Sequence, residues 1–185
     1  MEKKALIAMS GGVDSSVAAA LTREAGYECV GGMMKLFAGR GEEDSGYTCC
    51  SLDAAEDARQ VAVRLGMKFY VSNFADEFAG QVIDRFVAAY ERGATPNPCI
   101  DCNRYMKFEK LYQRARELGC DTIVTGHYAR ICRDEGRGRW LLLRAANRAK
   151  DQSYVLYFMS QEQLSHTRFP LGAYQSKEQV RELAE

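Results

Sequence analysis

A short apolar run, Ala5-Leu6-Ile7-Ala8-Met9, passes directly into Ser10-Gly11-Gly12-Val13-Asp14-Ser15-Ser16, and this junction constrains the fold more than any other feature. Uninterrupted apolar residues over this length read as a strand buried on both faces. From Asp14 the pattern is helical to about Ala25, with Gly26 placed to end it. A buried strand turning over two glycines into a helix is the first half of a βαβ unit. The alternation continues, with strands expected over 28–36, 68–73 and 121–125 and helices over 52–65, 77–92 and 103–118. Segments 38–50 and 93–102 read as loops, the first polar and Gly-rich, the second holding Pro96 and Pro98. The expected architecture is a doubly wound α/β domain, a parallel sheet covered on both faces. After Gly126 the pattern changes to a hairpin, 129–133 with 139–144, around Glu135-Gly136-Arg137-Gly138. Short helical segments follow.

At 185 residues the chain suffices for one domain with a proper core and not for two large ones. No apolar run approaches the ~18 residues of a membrane span. The five apolar residues before Ser10 fall short of the roughly seven to fifteen of a secretory signal. The chain therefore reads as cytoplasmic. Its seven cysteines, at 29, 49, 50, 99, 102, 120 and 132, are odd in number and irregular in spacing. In a reducing compartment that points to thiol or metal chemistry and away from a disulfide framework. The net charge is zero but segregated. Residues 130–150 hold seven basic side chains, Arg130, Arg133, Arg137, Arg139, Arg144, Arg148 and Lys150, against Asp134 and Glu135, a balance of +5.

Ser10 to Ser16 carries the first chemistry. Its glycines let backbone approach a polyanion, and hydroxyls with open amides at a helix start supply donors. No Gly-Lys-Ser/Thr closes it, so it is not a Walker A loop. A plain Gly-Gly turn with Ser and Asp capping a helix is the bland alternative. The full string resembles the loop of the PP-loop ATP pyrophosphatases, which adenylate a carbonyl oxygen and release pyrophosphate. That resemblance implies the adenine-nucleotide alpha-hydrolase type of sheet.

Thr95-Pro96-Asn97-Pro98-Cys99-Ile100-Asp101-Cys102-Asn103 narrows the substrate. If Asn103 caps the following helix, Cys102 lies just ahead of its positive end, where a thiol ionises more readily. Cys99 and Cys102 also form a CxxC pair, so zinc or an iron–sulfur cluster is a second reading. The adjacent Cys49-Cys50 is a poor other half of such a site. An inert buried thiol is the third.

Together with Gly31-Gly32-Met33-Met34-Lys35, Thr125-Gly126-His127-Tyr128-Ala129-Arg130 and Lys150-Asp151-Gln152-Ser153-Tyr154, these motifs resemble, in order, those of the tRNA-specific 2-thiouridylases. The resemblance implies a tRNA sulfurtransferase that adenylates the 2-oxygen of a wobble uridine and replaces it with persulfide sulfur. It implies ATP, with Mg²⁺, held by Ala8, Met9, Ser10, Gly11, Gly12, Val13, Asp14 and Ser15, with Met34 and Gly126 against the adenosine. Cys102 matches the catalytic nucleophile. Asn97, Pro98 and Cys99 match positions that meet the extruded base, although the family often has aspartate where Cys99 stands. His127, Lys150, Asp151 and Gln152 match tRNA-contacting positions, with no metal ligand among them. Implied partners are glutamate, glutamine and lysine tRNAs and a sulfur-relay or cysteine desulfurase protein; no membrane is involved.

The same resemblance divides the chain into a catalytic domain, 1–150, with the basic hairpin near 128–146, and the start of a following helical segment, 151–185. The family's second, persulfide-carrying cysteine lies beyond this stretch, so the chain is expected to be the N-terminal part of a longer one. Otherwise Cys99, Cys49 or Cys50 takes that role. A PP-loop amide or nucleotide synthetase, or a non-catalytic ATP- or metal-binding module, accounts for the phosphate loop. Neither accounts for Cys102, the basic stretch or Lys150-Asp151-Gln152. His166 reads as surface, and Phe69, Tyr70, Phe86 and Tyr90 as core.

Overall fold

The computed structural model describes residues 3–37 and 52–184; Cys49 and Cys50, and with them the whole of the 38–50 loop, lie outside the described residues. Strand β1 (Lys4–Ala8) leads into helix α1 (Val13–Glu24), then β2 (Glu28–Lys35), helix α2 (Leu52–Arg64) and β3 (Lys68–Asn73). A helix over 75–91 follows, in which a π-helical segment, Ala79–Ile83, joins Ala75–Phe78 to Asp84–Glu91. A second long helix over 98–117 contains a π segment, Cys102–Leu111, between Pro98–Asp101 and Tyr112–Glu117. Then come β4 (Thr122–Thr125), the pair β5 (Ala129–Asp134) and β6 (Arg139–Arg144), and the short strand β7 (Thr167–Arg168).

Five strands form one parallel sheet in the order β3-β2-β1-β4-β7. β5 and β6 pair antiparallel as a separate hairpin. The order reverses at β1: the chain moves outward through β2 and β3, then returns to the other side at β4. A crevice opens at such a switch point, outside the carboxyl ends of the strands. Here those ends are in register, Ala8 opposite both Gly32 and Thr125.

Both faces of β1 are buried, which explains its unbroken apolar sequence. Ala5 and Ile7 pack with Ala18 and Ala19 of α1 and Ala58 and Ala62 of α2. Leu6 faces the other way, into a larger cluster with Met106, Phe108, Leu111 and Leu156. Small side chains bring α1 and α2 close to the sheet, and long ones fill the space beneath the 98–117 helix.

The structure corrects three expectations. The 98–117 helix starts at Pro98, not after Asn103. Asn97 is its cap, its Oδ1 accepting from the Cys99 N–H at 3.0 Å, and proline at the first position forfeits no helical hydrogen bond. Cys102 is therefore inside the helix. His166 is half-buried, its ring stacked on Tyr112 at 5.4 Å. Tyr70 and Tyr90 are exposed, by 38% and 61%. Tyr70 sits on the edge strand β3, and the buried stripe of the 75–91 helix runs out after Val82.

Candidate functional site

The crevice at the switch point is a cleft of about 290 Å³, bounded by the residues after β1, the end of β2, the turn after β4 and one face of the 98–117 helix. Ala8, Met9, Ser10, Asp14 and Ser15 line it from the first βα turn, Met34 from β2, and Gly126 and His127 from beyond β4. Gly11, Gly12 and Val13 complete the turn behind them.

Gly12 precedes α1, and no side chain caps that helix. Its first N–H groups, which have no partner within a helix, therefore face the cleft end of the turn. The serines brace the turn instead. Ser15 Oγ donates to the Gly12 carbonyl at 2.9 Å and accepts from the Ser10 N–H at 3.2 Å. Ser16 Oγ donates to the same carbonyl at 3.1 Å. Open amides at the positive end of a helix make an anion-binding turn.

Two glycines are required here. Gly11 has φ +74°, and a Cβ on it would collide with the Ala54 carbonyl of α2. A Cβ on Gly126 would stand 2.8 Å from the carbonyl carbon of Asp14, so the turn after β4 reaches the phosphate loop only without a side chain.

The 98–117 helix contributes Cys99, Cys102, Asn103, Lys107 and Leu111 to the cleft. Their spacing has a physical cause. In a π segment the backbone bonds run from residue i to i+5, so positions five apart lie nearer one face than the α period would place them, and Cys102 and Lys107 both line the cleft. Cys99 is exposed and Cys102 half-buried. Cys29 and Cys120 are buried; burial pushes the Cys120 thiol up to about 11, so neither is poised for chemistry. Among the described residues no group of three His, Cys, Asp or Glu side chains could hold a metal ion. Asn97 and Pro98 are exposed at the start of this helix, beside the cleft wall and not in it.

His127 is buried, its Nδ1 sharing a 2.6 Å hydrogen bond with Thr125 Oγ1. Its ring packs against Phe108 and Phe169. Burial first, and then the positive charge of Lys107, holds its pKa well below the ordinary value. The imidazole is neutral at pH 7 and acts as a hydrogen-bonding group. Next to it, the Tyr128 N–H donates to Gln152 Oε1 at 3.0 Å and the Gln152 N–H to the Tyr128 carbonyl at 2.9 Å. Gln152 is thereby held against the cleft.

Lys150 and Asp151 lie outside the cleft lining. Lys150 is exposed. Asp151 turns inward: its carboxylate accepts from the Ala145 N–H at 2.8 Å and from Ser153 Oγ at 2.7 Å. Burial works against that charge, but these hydrogen bonds outweigh it and lower its pKa. All seven basic side chains of 130–150 are exposed. Arg133 and Arg137 have carboxylates within 4 Å. Among the described residues Arg130, Arg139, Arg144, Arg148 and Lys150 have none that close, so this face keeps a positive balance.

The structure thus brings together the loop residues, Met34, Cys99, Cys102, Gly126, His127 and Gln152. Sequence reasoning missed Asn103 as a lining residue, Lys107, Thr125 and Tyr128. Lys107 was hidden by reading the helix at the α period. Tyr128 stands within the Thr125–Arg130 motif, but its role depends on a contact with Asp14 that sequence distance conceals.

The profile of the tRNA methyl transferase HUP domain matches residues 3–185. The tRNA-specific 2-thiouridylase MnmA of Clostridioides difficile (strain 630) is 51% identical over 184 residues, covering 100% of this chain and 51% of that protein. Its counterpart in Moorella thermoacetica is 54% identical over 180 residues, 97% of this chain and 50% of that one. The chain spans about half the length of the curated relatives it matches. Among solved structures, the U34-tRNA thiolase NcsA from Methanococcus maripaludis, with its [4Fe-4S] cluster, aligns with a TM-score of 0.59 at 20% identity. That alignment covers 99% of this chain and 56% of NcsA, and at that identity the likeness is one of fold. With its phosphate loop, switch-point cleft and matched length taken together, the chain belongs to the tRNA methyl transferase HUP domain family.

Proposed function

We propose that this chain is the nucleotide-binding, Cys102-bearing part of a tRNA 2-thiouridylase. The observation that carries the reading is the meeting, in one cleft, of the phosphate loop with Cys102 and His127, which lie about ninety or more residues further along the chain. The chemistry needs that meeting. An unactivated uracil 2-oxygen is a poor leaving group, and activation and displacement must happen without moving the base.

In the first step the uridine 2-oxygen attacks the α-phosphorus of ATP and pyrophosphate leaves. The loop amides hold the phosphates, and Lys107 neutralises charge that builds up in the transition state. Mg²⁺ would supply further neutralisation, with Asp14 as the carboxylate nearest the loop. In the second step sulfur bonds to C2 and AMP departs. The sulfur comes from a cysteine persulfide, R–S–SH. Cys102 attacks the inner sulfur and hydrosulfide leaves, so a disulfide forms that an external thiol later reduces. On this reading Asn97, Pro98 and Cys99 flank the entering base, and the basic face around Arg144, Arg148 and Lys150 binds RNA phosphates. The persulfide donor is a sulfur-relay or desulfurase protein, and the substrates are the glutamate, glutamine and lysine tRNAs.

The test is pyrophosphate release from ATP by this chain with an unmodified transcript of one of these tRNAs. Release that depends on the transcript, and falls steeply as salt rises, supports the reading. ATP turnover indifferent to tRNA, or dependent on a small acid, overturns it in favour of a synthetase.

A further inference from the structure

Asn103 is 3% exposed, lines the cleft beside Cys102, and its Oδ1 has no hydrogen-bond partner among the described residues. A buried acceptor left unmade is costly, and native structures rarely tolerate one without a use. The helix offers no packing reason for it. Met106, Phe108 and Leu111, its buried neighbours in the π segment, are all apolar, and an apolar residue would fill the same place without penalty. An unmet acceptor on a side chain that lines a cleft is a receptor for a donor that arrives with the ligand.

We propose that Asn103 accepts a hydrogen bond from N3–H of the target uracil and so makes the site select uridine over cytidine. The proposal rests on the thiouridylase reading. Asn103 follows Cys102 directly, and consecutive Cα atoms are ~3.8 Å apart. Both residues line the cleft, so with sulfur chemistry at Cys102 directed to C2, Asn103 is assigned to an atom next to C2. One neighbour, N1, carries the ribose and no hydrogen. The other, N3, carries the only ring N–H of uracil. In cytosine N3 has no hydrogen and is itself an acceptor, so two lone pairs would oppose each other at a buried oxygen. Sites built around a buried hydrogen bond reject the ligand lacking the donor far more strongly than apolar pockets reject a methyl group. His127 Nδ1 already has Thr125 Oγ1 as its partner, whereas Asn103 Oδ1 has none among the described residues.

The experiment compares tRNA transcripts identical except at the wobble position, which carries uridine, cytidine or 3-methyluridine, in ATP-to-pyrophosphate assays with the wild-type chain and Asn103→Ala. The wild type should favour uridine over both others by about a hundredfold. Asn103→Ala should lose uridine rate, and its preference for uridine over 3-methyluridine should collapse, because the variant has no acceptor to satisfy and has room for the methyl group. ATP binding, measured by calorimetry, should remain within about twofold. If Asn103→Ala does not fold, Asn103→Leu restores the volume without the acceptor. A wild type that uses cytidine as well as uridine, or a folded variant that keeps the wild-type preference, overturns the assignment while leaving the thiouridylase reading intact. Absence of pyrophosphate release with every transcript overturns that reading, and the assignment with it.

Discussion

The Tyr128 hydroxyl donates to the Asp14 carboxylate at 2.9 Å, joining the turn after β4 to the second residue of α1 across 114 positions of chain. Lys177 approaches the other carboxylate oxygen at 4.0 Å. Burial, followed by the hydrogen bond to Asp14, keeps the Tyr128 phenol protonated well past its ordinary range. The hydroxyl is therefore a donor at every working pH and fixes the orientation of the acid in the phosphate loop. Tyr128→Phe removes only this bond. A hydrogen bond to a charged group contributes about 1.5 kcal/mol, so the urea midpoint should fall accordingly, and ATP should bind more weakly because Asp14 is released. An unchanged midpoint and ATP affinity would show that the bond carries nothing.

Gly126→Ala tests the closeness of two loops. The added methyl would meet Asp14 backbone at 2.8 Å, which cannot rotate away as a side chain could. Overpacking of this kind costs about 1–3 kcal/mol. The variant should retain its circular dichroism spectrum while ATP affinity drops about tenfold or more, by calorimetry. Gly80, where an added Cβ meets nothing within 4 Å, provides a control: Gly80→Ala should leave ATP affinity unaltered.

His127 makes stability depend on pH. Its folded pKa is depressed, mainly by burial, while in the unfolded chain it titrates near 6.5. Below that value the unfolded state binds a proton that the folded state does not. Its contribution is therefore constant above about pH 6.5 and declines as pH falls below it, by up to ~1.4 kcal/mol per pH unit. Thermal unfolding between pH 7.5 and 5 should show this decline, and His127→Gln should flatten it. An identical slope in the variant would assign the effect to other groups.

Lys150 and Asp151 are adjacent in sequence but should behave differently. Asp151→Ala removes acceptors for the Ala145 N–H and for Ser153 and should destabilise the fold by about 1–3 kcal/mol. Lys150→Ala, an exposed change, should leave stability within about 0.5 kcal/mol. If the basic face binds RNA, Lys150→Ala should instead lower tRNA affinity and reduce the salt slope by about one phosphate contact. Denaturation curves and filter binding of the two variants separate these effects.

Much of this was legible in the sequence, for reasons that particular residues make plain. Ala5 to Met9 is apolar at every position because β1 is buried on both faces, and Gly26 and Gly66, both at positive φ, mark helix ends that any L residue with a Cβ would strain. Ser10 to Ser16 announces an anion-binding turn because its chemistry is local: amides, hydroxyls and glycines within seven residues. What local chemistry cannot express is register and distance. Whether Pro98 ends a loop or begins a helix depended on Asn97 finding the Cys99 N–H, and this choice moved Cys102 from ahead of the helix to within it. The π register over Cys102–Leu111, which brings Lys107 to the cleft with Cys102, is a departure from the ordinary helical period. Asp151, matched in sequence to a tRNA-contacting position, has its carboxylate held by the Ala145 N–H at the end of the hairpin and by Ser153 Oγ. The sequence alone determined the order of elements and the nature of the phosphate loop, both of which follow from near neighbours. Only the tertiary structure decided which distant side chains share the cleft, because parallel pairing in register sets Ala8 between Gly32 and Thr125 and so gathers three strand ends at one point.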